Sequence, residues 1–300
     1  ASRPHQKGSP DYINNWVSWG AGLRAGQFLV LGSASIDLLK QSAESLAGRI
    51  AYTELGPLSP SEAGPSREAR DRLWLRGGFP TSFTAATDAD SWEWRDAFIE
   101  TYLERDIPQL GPRVPAETLG RFWTMLAHSQ GALHNAARLA SALAVSGQTT
   151  ARYLDLMVDL LLVRRLHPWS SNAGKRMVKA PKVYVRDSGI VHALLGVQTL
   201  EQLQGHPVAG HSWEGMVIEA LVAATPRGTE PCFYRSSAGA EVDLVLTLPG
   251  GRTWAIEIKR SLAPKLEKGF RLAREDIAPD ASYVVYAGAE TYPIASDVTA

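Results

Sequence analysis

The stretch AEVDLVLTLPGGRTWAIEIKRS, residues 240–261, limits the fold more than any other part of the chain. Two apolar runs rich in Val, Leu and Ile flank Pro249-Gly250-Gly251, which is the pattern of paired strands joined by a turn. Each run carries charge: Glu241 and Asp243 in the first, Glu257 and Lys259 in the second. Side chains alternate along a strand, so Glu241 shares a face with Asp243, and Glu257 with Lys259. Before the pair come a helical pattern, HSWEGMVIEALVAA, with Trp213, Val217, Ala220 and Leu221 inward, and a strand, CFYRS. After it come the helix KLEKGFRLARED and the strand ASYVVYAG, so the last third reads α-β-β-β-α-β.

Two carboxylates on neighbouring strands repel unless a cation or a strong partner lies between them. The bland reading is a half-solvated hairpin with a surface ion pair. The sharper reading is a metal site: Asp243 and Glu257 hold Mg²⁺ or Mn²⁺, and Lys259 stands beside a metal-bound water that attacks a phosphodiester. Glu214 lies off the Trp213–Val217 face of its helix, where it can turn toward the strand ends as a third ligand. A helix Glu, a strand Asp and a strand Glu-x-Lys in this order resemble the restriction-endonuclease-like (PD-(D/E)xK) fold, although no Pro precedes Asp243.

Upstream, NAARLASALAVSGQTTARYLDLMVDLLLVRRL reads as two helices around a short glycine-containing turn, a helix-turn-helix. The second helix is expected from Thr149, with Tyr153, Leu154, Met157, Leu160 and Leu161 inward. The hairpin that follows resembles the wing of a winged helix. It carries Arg164, Arg165, Lys175, Arg176, Lys179, Lys182 and Arg186 and no acid, which suits contact with DNA phosphates. Asp155 and Asp159 face outward on the second helix and argue against base reading by it. Residues 67–130 are helical, with Trp94, Phe98 and Tyr102 on one stripe and Leu119, Phe122, Trp123 and Leu126 on another.

Composition excludes several classes. Lys and Arg together number 31, as do Asp and Glu, so any attraction for nucleic acid is local. Cys232 is the single cysteine, which excludes an internal disulfide framework and fits a cytoplasmic setting. No apolar run is long enough for a transmembrane helix, so no membrane partner is expected. No H-E-x-x-H pattern points to zinc, and no G-x-x-x-x-G-K-[ST] loop is present to cradle a triphosphate. AHSQG, residues 127–131, follows a helical period rather than the strand that a serine nucleophile elbow requires.

The ordered pieces FLVLGSASIDLLKQSAESLAGRI, GGFP, YLERDI, KAPKVYVRDSGI, GHSWEGMVIEAL and YRSSAGAEVDLVL…AIEIKRS resemble a large prokaryotic AAA-type ATPase family whose members carry a C-terminal domain of unknown function with an endonuclease-like fold. The resemblance covers about residues 25–290. It implies that Ser33 and Ser35 lie on the γ-phosphate side of a nucleotide and that Arg49 reaches a nucleotide, its own or a neighbouring subunit's. The family's Walker A and B segments precede GSAS, and residues 1–24 do not match them. ATP is therefore expected only in an intact family member. The expected organisation is an α/β multidomain chain: an unassigned tail (1–24), a partial AAA ATPase segment (25–64), a helical region (65–130), a winged helix (131–196) and a nuclease-like domain (197–300). Two functions follow: a Mg²⁺-dependent, DNA-binding nuclease, or a non-catalytic DNA- or protein-binding regulatory module of a former ATPase, with other subunits of the same family as partners.

Overall fold

A computed structural model describes residues 54–109, 114–169 and 178–300. Ser33, Ser35 and Arg49, with the strand and helix expected around them, lie outside the described residues, as do Lys175 and Arg176.

Residues 60–109 and 116–159 are mainly helical because their apolar residues recur at helical spacing. Helix α1 (Arg67–Arg76) starts at Ser66, whose hydroxyl accepts from Ala69 N, and buries Leu73, Trp74 and Leu75. Helix α2 (Asp88–Thr101) starts at a capping box between Thr87 and Asp90. Its stripe stacks Trp94 on Phe98 and Phe98 on Tyr102 at centroid separations of 5.4 and 5.3 Å. The largest side chain that α2 buries fully is nevertheless Arg95, whose guanidinium donates to the carbonyls of Leu75 and Gly189. Helix α3 (Ala116–His128) buries Leu119, Phe122, Trp123 and Leu126, as its period requires.

Helices α4 (Ala136–Leu143) and α5 (Gly147–Asp159) make the expected helix-turn-helix. Ser146 caps α5, which begins two residues before Thr149. Leu161, expected inward, is exposed with φ +59°, because the chain turns there into β1 (Val163–Pro168). Strand β1 pairs antiparallel with β2 (Lys182–Val185). Helix α6 (Ser188–Leu194) then leads through a short helix, Leu200–Gly205, capped by Thr199, to α7 (Ala209–Ala224).

The remaining strands are β3 (Glu230–Arg235), β4 (Glu241–Thr247), β5 (Thr253–Lys259), β6 (Ala281–Tyr286), β7 (Pro293–Ala295) and β8 (Val298–Thr299), with helix α8 (Lys268–Ile277) between β5 and β6. All eight strands form one mixed sheet in the order β2-β1-β3-β4-β5-β6-β8-β7. Strand β1 runs parallel to β3 through His167–Cys232 and Pro168–Phe233, so the sheet crosses the boundary expected at residue 197. Phe270, Ala273 and Ile277 of α8 pack on Val242, Val245, Ala255 and Val284. Among the described residues, no helix is long and apolar enough to cross a membrane.

GGFP and VRDSGI, far apart in sequence, meet in the fold. Asp187 caps α6 by accepting from Ile190 N at 2.9 Å and also accepts from Gly78 N at 2.8 Å. Gly77 has φ +76°, and a Cβ there would lie 2.0 Å from the Asp187 carboxylate. Only glycine permits both the left-handed backbone and this approach.

Candidate functional site

Strands β4 and β5 hold a regular ladder from Thr247–Thr253 to Leu244–Ile256. On the other edge of β4 the register against β3 shifts. Cys232 pairs with Val245 and Tyr234 with Val242, so Asp243 and Leu244 together oppose Phe233 in a β-bulge. Bulges re-aim side chains. Here the Asp243 carboxylate takes the place of a ladder carbonyl and accepts from Ile258 N at 2.8 Å.

The charged residues around this bulge form two groups. In the first, Lys182 Nζ lies 2.9 Å from Glu241 Oε1, 3.3 Å from Glu214 Oε1 and 4.0 Å from Asp243 Oδ1. The amine also sits 5.6 Å from the Phe233 ring centroid, and Lys182 is only 4% exposed. Glu214 Oε1 accepts from the Tyr184 hydroxyl at 2.6 Å, and Glu214 Oε2 lies 3.3 Å from His211 Nδ1. In the second group, Lys259 Nζ lies 2.8 Å from both Glu257 Oε1 and Glu267 Oε1. Ala255 packs under α8, so by alternation Glu257 and Lys259 lie on that side of the sheet.

Burial opposes charge on Lys182, but Glu214, Asp243 and Glu241 outweigh it and raise its pKa above the ordinary lysine value. Burial likewise opposes charge on Glu214, but the His211 hydrogen bond, Lys182 and Tyr184 hold it below the usual carboxylate value. Asp243 goes the other way. Burial pushes its carboxyl well above the usual range, Glu214 and Glu257 add to the push, and Lys182 and the Ile258 N–H only partly oppose it. Burial also raises Glu257, against Lys259.

Mg²⁺ requires oxygen ligands at about 2.0–2.1 Å in near-octahedral order. The Lys182 ammonium lies among the oxygens that would supply them, and one Asp243 oxygen is committed to Ile258 N. Among the described residues, no group of three or more His, Cys, Asp or Glu is arranged to hold a metal ion. In this arrangement the residues do not fit a divalent cation. Asp243, Glu214, Glu257 and Lys259 are neighbours, but the described geometry divides them between two lysines.

The basic hairpin also differs from its expected role. Lys182, expected on a phosphate, is buried in the carboxylate group instead, because the parallel β1–β3 pairing carries the hairpin into the sheet. Arg164 and Arg186 both grip Glu219 of α7, Arg164 through two nitrogens and Arg186 at 2.8 Å. Arg165 pairs with Asp155, one of the outward acids of α5. Lys179 is exposed. The involvement of Glu219, Glu241 and Tyr184 was missed. The i, i+5 spacing of Glu214 and Glu219 on one half-buried helix, facing a hairpin rich in base, was the available signal.

A few ångströms along α7 lies a neutral polar centre. The Trp74 indole donates to Ser212 Oγ at 2.9 Å, Ser212 Oγ meets His192 Nε2 at 2.6 Å, and His192 Nδ1 meets the Leu75 carbonyl at 2.9 Å. Ser212 and His192 are fully buried, so this Ser–His pair has no access to a substrate. Burial pushes the His192 pKa down to about 3.

Two family models match the chain. Residues 209–300 match a domain of unknown function (DUF4143), and residues 67–201 match another domain of unknown function (DUF8612). The chain is 46% identical over 275 residues to the uncharacterized protein Rv2008c of Mycobacterium tuberculosis (strain ATCC 25618 / H37Rv), and equally to the uncharacterized protein Mb2031c of Mycobacterium bovis (strain ATCC BAA-935 / AF2122/97). These alignments take in 91% of this chain and 61% of each relative, so the chain spans less than two thirds of their length. No solved structure matches it.

Proposed function

We propose that this chain is the C-terminal portion of an AAA-type ATPase-like protein and acts as a non-catalytic module. In this reading it comprises a winged-helix part and a restriction-endonuclease-like (PD-(D/E)xK) part that engage protein, including other subunits of the same family, and it performs no hydrolysis. The observation that carries the reading is Lys182, 2.9 to 4.0 Å from three carboxylates. Clustered carboxylates argue for a metal only while no internal cation compensates them, and Lys182 is such a cation. The engagement of Arg164, Arg165 and Arg186 by Glu219 and Asp155 supports a protein partner over a phosphate backbone.

A second reading, a Mg²⁺- or Mn²⁺-dependent nuclease carried by Glu214, Asp243, Glu257 and Lys259 with DNA as partner, is favoured by one observation. Asp243 lies 4.0 Å from Lys182 Nζ, farther than Glu241 at 2.9 Å or Glu214 at 3.3 Å, so it is the carboxyl that the ammonium compensates least. The test is cleavage of plasmid, single-stranded DNA and RNA in Mg²⁺ or Mn²⁺, with Asp243→Asn as control. The non-catalytic reading expects equal background from both proteins. Cleavage by the wild type that disappears in Asp243→Asn would overturn it.

A further inference from the structure

Acids and bases are equal in number over the whole chain, 31 each, but on the surface they separate. Helix α2 exposes Glu93, Asp96 and Glu100, and a π-helical turn (Tyr102–Asp106) continues it without a break and exposes Glu104. Steps of three and four residues put these four carboxylates on one face. Among the described residues none of the four has an ion pair, because the neighbouring bases are engaged elsewhere. Arg76 pairs with Asp88, Arg105 pairs with Asp106, and Arg95 is turned inward to carbonyls. Like charges at these spacings disfavour the helix that carries them. Ala97 and Thr101 are exposed among the acids and are small, so the face is low as well as acidic.

The complement lies at α8. Lys265, Lys268 and Arg271 are exposed and, among the described residues, have no ion pair, whereas Lys259 and Arg274 are held by Glu257, Glu267 and Asp297. Lys265 and Arg271 line an open groove of about 510 Å³ together with Leu266, Ile294 and Ala295. Leu272, beside Arg271, is exposed, and Glu275 is the exposed acid of the same helix. Helix α8 packs on the sheet and α2 on the loop and helix around Gly189, so the two faces belong to different layers.

We propose that the outward face of α2 docks, head to tail, on the α8 groove of a second copy of this chain. The carboxylates of α2 meet Lys265, Lys268 and Arg271, and Ala97 and Thr101 let the helix lie close to the apolar residues of the groove. Because the two faces differ, each copy in a pair keeps one acidic and one basic face open, and the contact adds copies in a ring or a row. The inference deepens the protein-binding reading and rests on it.

The test is sedimentation velocity of the 300-residue chain for wild type, Glu100→Lys/Glu104→Lys and Lys268→Glu/Arg271→Glu. Wild type at about 0.1 mM protein is expected to self-associate in about 50 mM salt, and at least about tenfold more weakly in about 500 mM. Each reversal alone removes the association at low salt. An equimolar mixture of the two restores it, because the acidic face kept by one meets the basic face kept by the other. All four positions are exposed, so both variants should keep the circular dichroism of wild type. If a reversal does not fold, Glu100→Gln/Glu104→Gln and Lys268→Gln/Arg271→Gln take its place, with the same pattern of loss and restoration expected. Wild type that is monomeric at low salt overturns the inference, as does a mixture that stays monomeric. Loss with the acidic-face variant but not with the basic-face variant means that α2 has another occupant, and overturns it too. Each of these failures leaves the non-catalytic reading standing, because the cleavage assay decides that reading separately.

Discussion

Two buried polar centres sit two residues apart on α7, and they are built on opposite principles. Around Ser212 every group is neutral and satisfied: Trp74 donates, Ser212 joins the indole to the imidazole, and His192 uses both nitrogens. Around Glu214 the Lys182 ammonium faces three carboxyl groups, and burial holds that of Asp243 well above the usual carboxylate range. Both centres fasten the same helix to elements distant from it in sequence. The neutral one joins α7 to α1 and α6 by hydrogen bonds that leave no charge over. The charged one joins it to β2 and β4 through the shared Lys182 ammonium. A centre of neutral groups is satisfied pair by pair, whereas a charged one depends on the single cation its carboxylates share.

The largest effect that would break this contrast is loss of the lysine. Lys182→Met strands buried carboxylates without their partner, and removing one member of a buried pair costs about 3–5 kcal/mol. A denaturant midpoint should fall accordingly, and Lys182→Met/Glu214→Gln should recover part of the loss. If Lys182→Met is as stable as wild type, the charged centre does not fasten the fold.

Ser212→Ala attacks the neutral centre. It leaves the Trp74 N–H and one His192 nitrogen buried without partners, and a loss of about 1–3 kcal/mol is expected.

The two centres also respond differently to pH. Unfolded, His192 takes up a proton below about 6.5, whereas in the fold it resists protonation to about 3. The unfolded state therefore binds more protons in that window, and stability falls as pH falls through it, by up to about 1.4 kcal/mol per pH unit. Asp243 acts in the opposite sense. Its folded pKa is raised, so its contribution is lost as pH rises through that value. Comparing urea unfolding of wild type and His192→Asn between about pH 4 and 7 isolates the histidine. An identical acid slope in both would show that His192 is not held neutral.

The smallest expected effect is at the rim. Arg165 pairs with an exposed Asp155, and exposed ion pairs contribute about 0–1 kcal/mol. Arg165→Ala should shift the midpoint least of all these variants. A loss as large as that of Lys182→Met would place the hairpin's anchorage at Asp155 rather than at the buried lysine.

The sequence by itself determined most of the local structure. The helical spacing of Leu119, Phe122, Trp123 and Leu126 matches their burial. The turn at Pro249-Gly250-Gly251 joins β4 to β5, and the charged residues of the opening stretch lie on strands as their alternation implies. Those features depend on neighbours within one or two turns or one hairpin. Arg95 was illegible because a long cationic side chain on an aromatic stripe ordinarily faces water, and its burial depends on carbonyls of α1 and of Gly189. The bulge at Asp243 was illegible because an extra residue leaves no mark in an alternating pattern. Tertiary structure alone decided that Lys182, from a hairpin read as a phosphate contact, would become the cation of the carboxylate group. The parallel pairing of β1 with β3 sets that placement, and the energy of an ion pair depends on distance in space and burial, which no local spacing encodes.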